Sequence, residues 1–287
     1  MNKIRIIPRL DIKGPNLVKG IHLEGLRVLG KPEEFAKYYY EQGADELMYM
    51  DVVASLYGRN SLFDLISKTA RELFIPLTVG GGLKTIDDIK NVLRAGADKV
   101  SINTAAVKDP QIIREASLKF GSSTIVATLE VIRQADGRYF VFTDNGREDT
   151  GLEAIAWAKK VEELGAGELV LTSVDNEGTG LGFDLDLIKQ VTDAVSIPVI
   201  AHGGAGNPAH IAAAVAQGGA SAVALASVLH YGYAATKAAS SNSEKEGNTE
   251  FLKSGKGFSK IEQHTLPEIK NYLAQHNIET RITDLTL

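Results

Sequence analysis

The chain has 287 residues, 44% of them hydrophobic, 28 of them glycine and none cysteine, which is long enough for one large α/β domain or two small ones and excludes disulfides and thiolate metal sites. A net charge of −5, with acids and bases intermingled, leaves no basic face for nucleic acid, so an anionic ligand has to be gripped locally. The opening MNKIRIIPRLDIKG has no apolar stretch of signal length, and no run approaches the ~20 residues of a membrane span, so a soluble cytoplasmic protein is expected.

Short apolar runs alternate with amphipathic segments along the chain. IRIIPRL reads as the first strand and is followed by the helix candidate PEEFAKYYYEQG. ELMYMDVV precedes SLFDLISKTARELF, IPLTVG precedes IDDIKNVLRAG, and KVSIN precedes PQIIREASLKFG. The second half repeats the order: TIVATLEV then GLEAIAWAKKVEELG, ELVLTSV then DLDLIKQVTDAV, IPVIA then PAHIAAAVAQGG, and finally AVALAS. Several helix candidates open on Pro or a capping residue and close on Gly. Eight βα beats predict a single (β/α)8 barrel over residues 1–287 rather than an open doubly wound sheet. After HYGYAATKAA the periodicity lapses over about residues 236–264, a polar insertion placed between the eighth strand and the last helix, LPEIKNYLAQ. Phe251 and Phe258 are its candidate anchors for a lid or docking surface over the barrel mouth.

An internal repeat sharpens this. Residues 75–105 align without a gap on residues 197–227, so the chain reads as a half-barrel written twice. Nearly the same offset lays Asp11 on Glu130, and both end an apolar strand. Strand C-terminal ends build the active-site face of such a barrel, and two opposed carboxylates suit general acid and base work; each could instead only cap its strand. VGGG at 79–82 and HGGAG at 202–206, with INTA at 102–105 and LASV at 225–228, either make tight turns or bring backbone N–H groups up to two phosphates on opposite sides of the mouth. His202 is either a donor toward a ligand or a bulky replacement for a glycine of the first copy. Arg5, Glu46, Lys99 and Glu168 open strands at the other end, as a structural salt-bridge ring or a functional one. There is neither an HExxH motif nor an acidic metal cluster, so no metal and no cofactor are expected.

The motifs IIPRLDIK, NLVKG, VGGGL, GADKVSINTAAVK, GLEAIAWAKKVEELGAGELVLTSVD and IPVIAHGGAG resemble the cyclase subunit of imidazole glycerol phosphate synthase, over residues 1–232 and again over the last helix. The resemblance implies a barrel that takes ammonia from a glutaminase docked at its N-terminal face and uses it on a bisphosphorylated ribulose-type substrate at its mouth. It implies Asp11 and Glu130 as catalytic acids and Lys19 as a flexible-loop lysine. It also implies Gly81, Gly82, Asn103, Thr104, Thr172, Glu177, Gly178, Gly203, Gly204, Ala226 and Ser227 as substrate and phosphate contacts. Arg5, Glu46, Lys99 and Glu168 fall on the ammonia gate and Asp98 on the partner interface. Four positions depart from the family pattern: Glu130 and Glu177 stand where aspartate is usual, and Arg9 and His202 where a small residue is usual. The alternative reading is a paralogous conduit subunit that passes ammonia from a glutaminase to a downstream acceptor enzyme in amidation of surface-polysaccharide sugars. A third reading, a sugar isomerase of the related two-carboxylate barrel type, would account for the bisphosphate sites but not for the gate.

Overall fold

A computed structural model describes residues 3–52, 60–240 and 260–281. Eight parallel strands close on themselves in the order β1 (Arg5–Lys13), β4 (Leu47–Asp51), β5 (Leu77–Gly80), β6 (Lys99–Ile102), β7 (Ile125–Arg133), β10 (Glu168–Ser173), β11 (Val199–His202) and β12 (Ala222–Leu225). The last pairs with the first through the Arg5–Ala222 and Pro8–Leu225 registers. These are the eight strands expected from the sequence. The fold is therefore the expected (β/α)8 barrel.

The strands are short, apolar runs, and their residues alternate between two cores. One set packs outward against the helices, among them Ile6, Leu10, Tyr49, Val100 and Leu171. The other, Ile7, Met48, Met50, Val126, Val170, Ile200, Ala222 and Ala224, fills the bore of the barrel. Helix ends are set by local chemistry: α3 (Ile86–Ala95) starts on a reciprocal Thr85–Asp88 capping box and stops on left-handed Gly96. The last described helix, Leu266–Gln275, repeats the device with Thr265 and Glu268.

Two antiparallel hairpins absent from the sequence reading extend the mouth. β1 continues past the rim and pairs with β2 (Asn16–Ile21), which pairs with β3 (Glu24–Gly30). β7 likewise pairs with β8 (Tyr139–Thr143) and then β9 (Glu148–Glu153). They leave equivalent strands of the two half-barrels. The expected insertion also needs adjustment. α9 (Ser227–Ser240) leaves β12 directly, because its alanine-rich sequence sustains a helix, and residues 236–240 belong to it. Residues 241–259, with Phe251 and Phe258, lie outside the described residues. The chain returns along the mouth, where Glu262 N–H donates to Gly206 O at 2.8 Å and His264 N–H to Val228 O at 3.1 Å.

Candidate active site at the barrel mouth

Residues of β1 that share a face with Ile7 point into the bore, so Arg5, Ile7, Arg9 and Asp11 climb from floor to mouth. At the floor, Arg5 meets Glu46 at 2.5 Å and Glu168 at 2.8 Å, and Lys99 meets the same two acids at 3.1 and 2.9 Å. Arg5, Glu46, Lys99 and Glu168 thus form one ring of alternating charge. Asp98 sits nearby on the same face, exposed, with one carboxylate oxygen accepting from Leu77 N–H at 2.8 Å. It borders a cavity lined also by Leu73, Ile75 and the protruding Phe74, which is 80% exposed.

At the mouth, Asp11 and Glu130 each stand where a barrel strand passes into a hairpin, opposite Val18 and Phe142 respectively. Asp11 is buried and paired with the Arg9 guanidinium at 3.0 Å. Glu130 is also buried, and burial pushes its carboxyl up to about 7 against the opposing pull of Arg9, the Gly146 N–H and the Asn103 side chain. A carboxyl that titrates near neutrality can take and return a proton, as an acid–base group must. Burial works most strongly against the charge of Arg9, but Asp11, Glu177 and Glu130 together outweigh it and the group stays a cation.

The glycine platforms have matching geometry. Gly81 and Gly203 take φ of 98° and 96°, and a Cβ would come within 2.1 Å of Asp51 O at the first and 2.6 Å of Ser173 O at the second. Gly82 and Gly204 follow in the same left-handed region. These turns demand glycine on steric grounds alone. Asn103 precedes Thr104, the first residue of α4 (Thr104–Lys108), and its Oδ1 is buried without a hydrogen-bond partner. Ser227 Oγ, at the start of α9, is buried near enough to the Tyr231 phenol to influence it but outside hydrogen-bonding geometry. One cleft gathers Lys19, Glu177, Gly178, His202, Gly203, Gly204, Ala226 and Ser227. Thr172 lies just below, its hydroxyl 3.2 Å from His202 Nδ1.

Lys19 is not on a loop. It lies in β2, buried, with its ammonium on Glu177 and on Gly20 O at 2.9 Å. The pairing arises because Glu177 clasps the hairpin: its other oxygen accepts from Leu23 N–H at 2.9 Å. Glu130 does the same on the other side, accepting from Gly146 N–H at 2.9 Å in the β8–β9 turn. Glu177 and Glu130 therefore each hold a hairpin turn. Among the described residues no group of three or more His, Cys, Asp or Glu is arranged to hold a metal, and no helix is long and apolar enough to cross a membrane.

Residues 5–235 match the family described as histidine biosynthesis protein. The imidazole glycerol phosphate synthase subunit HisF of Legionella pneumophila is 59% identical over 206 residues, which is 72% of this chain and 97% of that protein. The chain belongs to the histidine biosynthesis protein family. Within that family fold, two participants escaped the sequence reading. His230 on α9 donates from Nε2 to Arg9 O at 2.8 Å and accepts from Tyr39 OH at 2.6 Å, so a buried aromatic pair holds the backbone that carries Arg9. Burial pushes His230 down to about 4, which leaves it neutral. No motif marks it, since α9 has little helical patterning of its own. The Arg9–His202 contact was equally hidden, because 193 positions separate the two.

Proposed function

We propose that this family member is the ammonia-using cyclase subunit of an imidazole glycerol phosphate synthase-type glutamine amidotransferase. It converts a bisphosphorylated ribulosyl aminoimidazole precursor to imidazole glycerol phosphate and an aminoimidazole ribotide. The observation that carries this reading is the pair of buried carboxylates, Asp11 and Glu130, rooted in equivalent strands beside matching glycine platforms. Glu130 shuttles a proton and Asp11 acts opposite it. One phosphate rests over Gly81, Gly82, Asn103 and Thr104, and the other over Gly203, Gly204, Ala226 and Ser227, with Lys19, Thr172, Glu177 and Gly178 around the substrate. Orphaned Asn103 Oδ1 supports this, since a buried polar atom without a partner costs about 1–3 kcal/mol until a ligand or water meets it.

A glutaminase subunit docks on the N-terminal face around Asp98 and Phe74. Its ammonia enters through the ring of Arg5, Glu46, Lys99 and Glu168, and no cofactor takes part. The reaction occupies one (β/α)8 barrel spanning the chain and takes place in the cytoplasm. Incubating the purified chain with ammonium and the bisphosphorylated precursor tests the proposal; turnover is expected. A folded chain that binds the precursor without turning it over would favour the second reading, an ammonia conduit serving a separate acceptor enzyme. That reading draws its support from Arg9, Glu130, Glu177 and His202, the four departures gathered at the mouth.

A further inference from the structure

We propose that His202 binds ligand directly, donating a fixed Nε2–H to a phosphate monoester over Gly203 and Gly204, and that Arg9 is the positioning residue that fixes the proton there. The proposal rests on the phosphate reading of this cleft and assigns within it two residues that depart from the family pattern.

His202 is the last residue of β11, 4% exposed, and it lines the cleft with Lys19, Gly203, Gly204 and Ser227. Its Nδ1 lies 3.1 Å from a terminal nitrogen of the Arg9 guanidinium and 3.2 Å from Thr172 Oγ1. A guanidinium has donors and no acceptor, so the nitrogen facing it must be the one with the lone pair. In a neutral imidazole the proton then resides on Nε2. The ring is neutral, because burial together with the charges of Arg9 and Lys19 pushes its pKa well below the ordinary range. Among the described residues Nε2 has no hydrogen-bond partner. The Nε2–H at this cleft wall is left for a ligand, and a phosphate offers several acceptor oxygens to it. A ligand presenting only donors there, such as an ammonium, would leave two donors facing each other, whereas phosphate oxygens accept.

The same guanidinium donates from Nε to Asp11 at 3.0 Å. Arg9 therefore spans the bore from β1 to β11 and ties the phosphate cleft to one of the two carboxylates. The two departures complete each other: without His202 the Arg9 nitrogen keeps only its longer 3.5 Å contact with Thr172 Oγ1, and without Arg9 the imidazole proton is free to move between nitrogens.

The test uses the full chain labelled with 15N at histidine. Long-range 1H–15N correlation, with His202 assigned by its loss in His202→Gln, should show Nδ1 unprotonated and Nε2 protonated. Titration with inorganic phosphate should move the Nε2 resonance saturably, in step with a calorimetric isotherm. His202→Ala should weaken phosphate binding about tenfold or more, the worth of one charge-assisted hydrogen bond. His202→Gln, which places an N–H near the same point, should recover most of that loss. Arg9→Met should mix the tautomers and weaken phosphate severalfold. If phosphate binds the unaltered chain but the Nε2 resonance stays put and His202→Ala binds as well, His202 only fills space and the proposal fails. A protonated Nδ1 would remove the role of Arg9. No phosphate binding by the unaltered chain would overturn this inference together with the phosphate reading beneath it.

Discussion

The floor and the mouth of this barrel are both lined with charge, yet only the floor is balanced within the protein. Arg5 and Lys99 each contact both Glu46 and Glu168, so every charge in the ring has two partners. At the mouth the bookkeeping is left open: Asn103 Oδ1 has no partner, Glu130 is pushed up to about 7, and one imidazole nitrogen of His202 is uncommitted among the described residues. A self-satisfied ring suits an inlet that must hold its shape. A mouth with polar groups in want of partners suits a place where a ligand completes the structure.

The contrast breaks most sharply if the mouth is disarmed. Glu130→Gln and Asp11→Asn should each lower ammonia-dependent turnover at least about a hundredfold, the usual weight of a general acid or base, while phosphate binding survives. Glu130→Asp should retain or raise activity, and a steady-state assay with ammonium distinguishes these outcomes. Unchanged turnover in Asp11→Asn would remove that residue from the chemistry.

Stability against pH separates the two ends next. Below pH 4.5 Glu130 is protonated whether the chain is folded or not; as pH rises toward 7 the unfolded chain sheds that proton first. The associated stability is therefore present at low pH and lost as pH rises through about 7, on the order of 3 kcal/mol. His230 acts in the opposite sense, because burial pushes it from 6.5 down to about 4. Its contribution is complete above 6.5 and lost as pH falls through about 4, again on the order of 3 kcal/mol. The two slopes oppose each other over the same range. Urea unfolding at stepped pH should show Glu130→Gln weakening only toward acid and His230→Gln only toward alkali. Parallel curves for both variants and the unaltered chain would remove both assignments.

At the floor, Lys99→Ala should separate glutamine-dependent from ammonium-dependent activity in a complex with the glutaminase, lowering the first and sparing the second. It should also cost about 1–3 kcal/mol, since two buried carboxylates lose a partner. Equal loss of both activities would mark the ring as structural only. The smallest effect belongs to neither end: Thr265→Ala removes the cap of the final helix and should lower stability by ~1 kcal/mol, with turnover unchanged.

The barrel was legible in the sequence because each strand is a short apolar run closed by turn chemistry, and because the half-barrel repeat sets Gly81 against Gly203 and Asp11 near Glu130. The hairpins were less so. The β2–β3 turn uses His22 and Leu23 at positive φ, residues that carry no turn signal. The β8–β9 turn did carry one: Asp144, Asn145 and Gly146 all take positive φ, and an Asp-Asn-Gly run between YFVF and later polar residues announces a hairpin. The placement of candidate site residues on strand ends followed from periodicity. Their partners did not, because Lys19–Glu177, Arg9–His202 and Tyr39–His230 join residues more than 150 positions apart, which only closure of the barrel brings together.

The two rim hairpins have a mechanical consequence. Each is hinged on a strand that carries an acid, through the Asp11–Val18 and Glu130–Phe142 rungs. Each is also bolted at its turn by a glutamate, Leu23 N–H to Glu177 and Gly146 N–H to Glu130. On the second arm the hinge and the bolt are the same residue. Shortening or lengthening the side chain at position 130 therefore changes the stiffness of that arm together with the reach of its carboxylate, whereas on the first arm Asp11 and Glu177 divide the two duties and can be tuned apart.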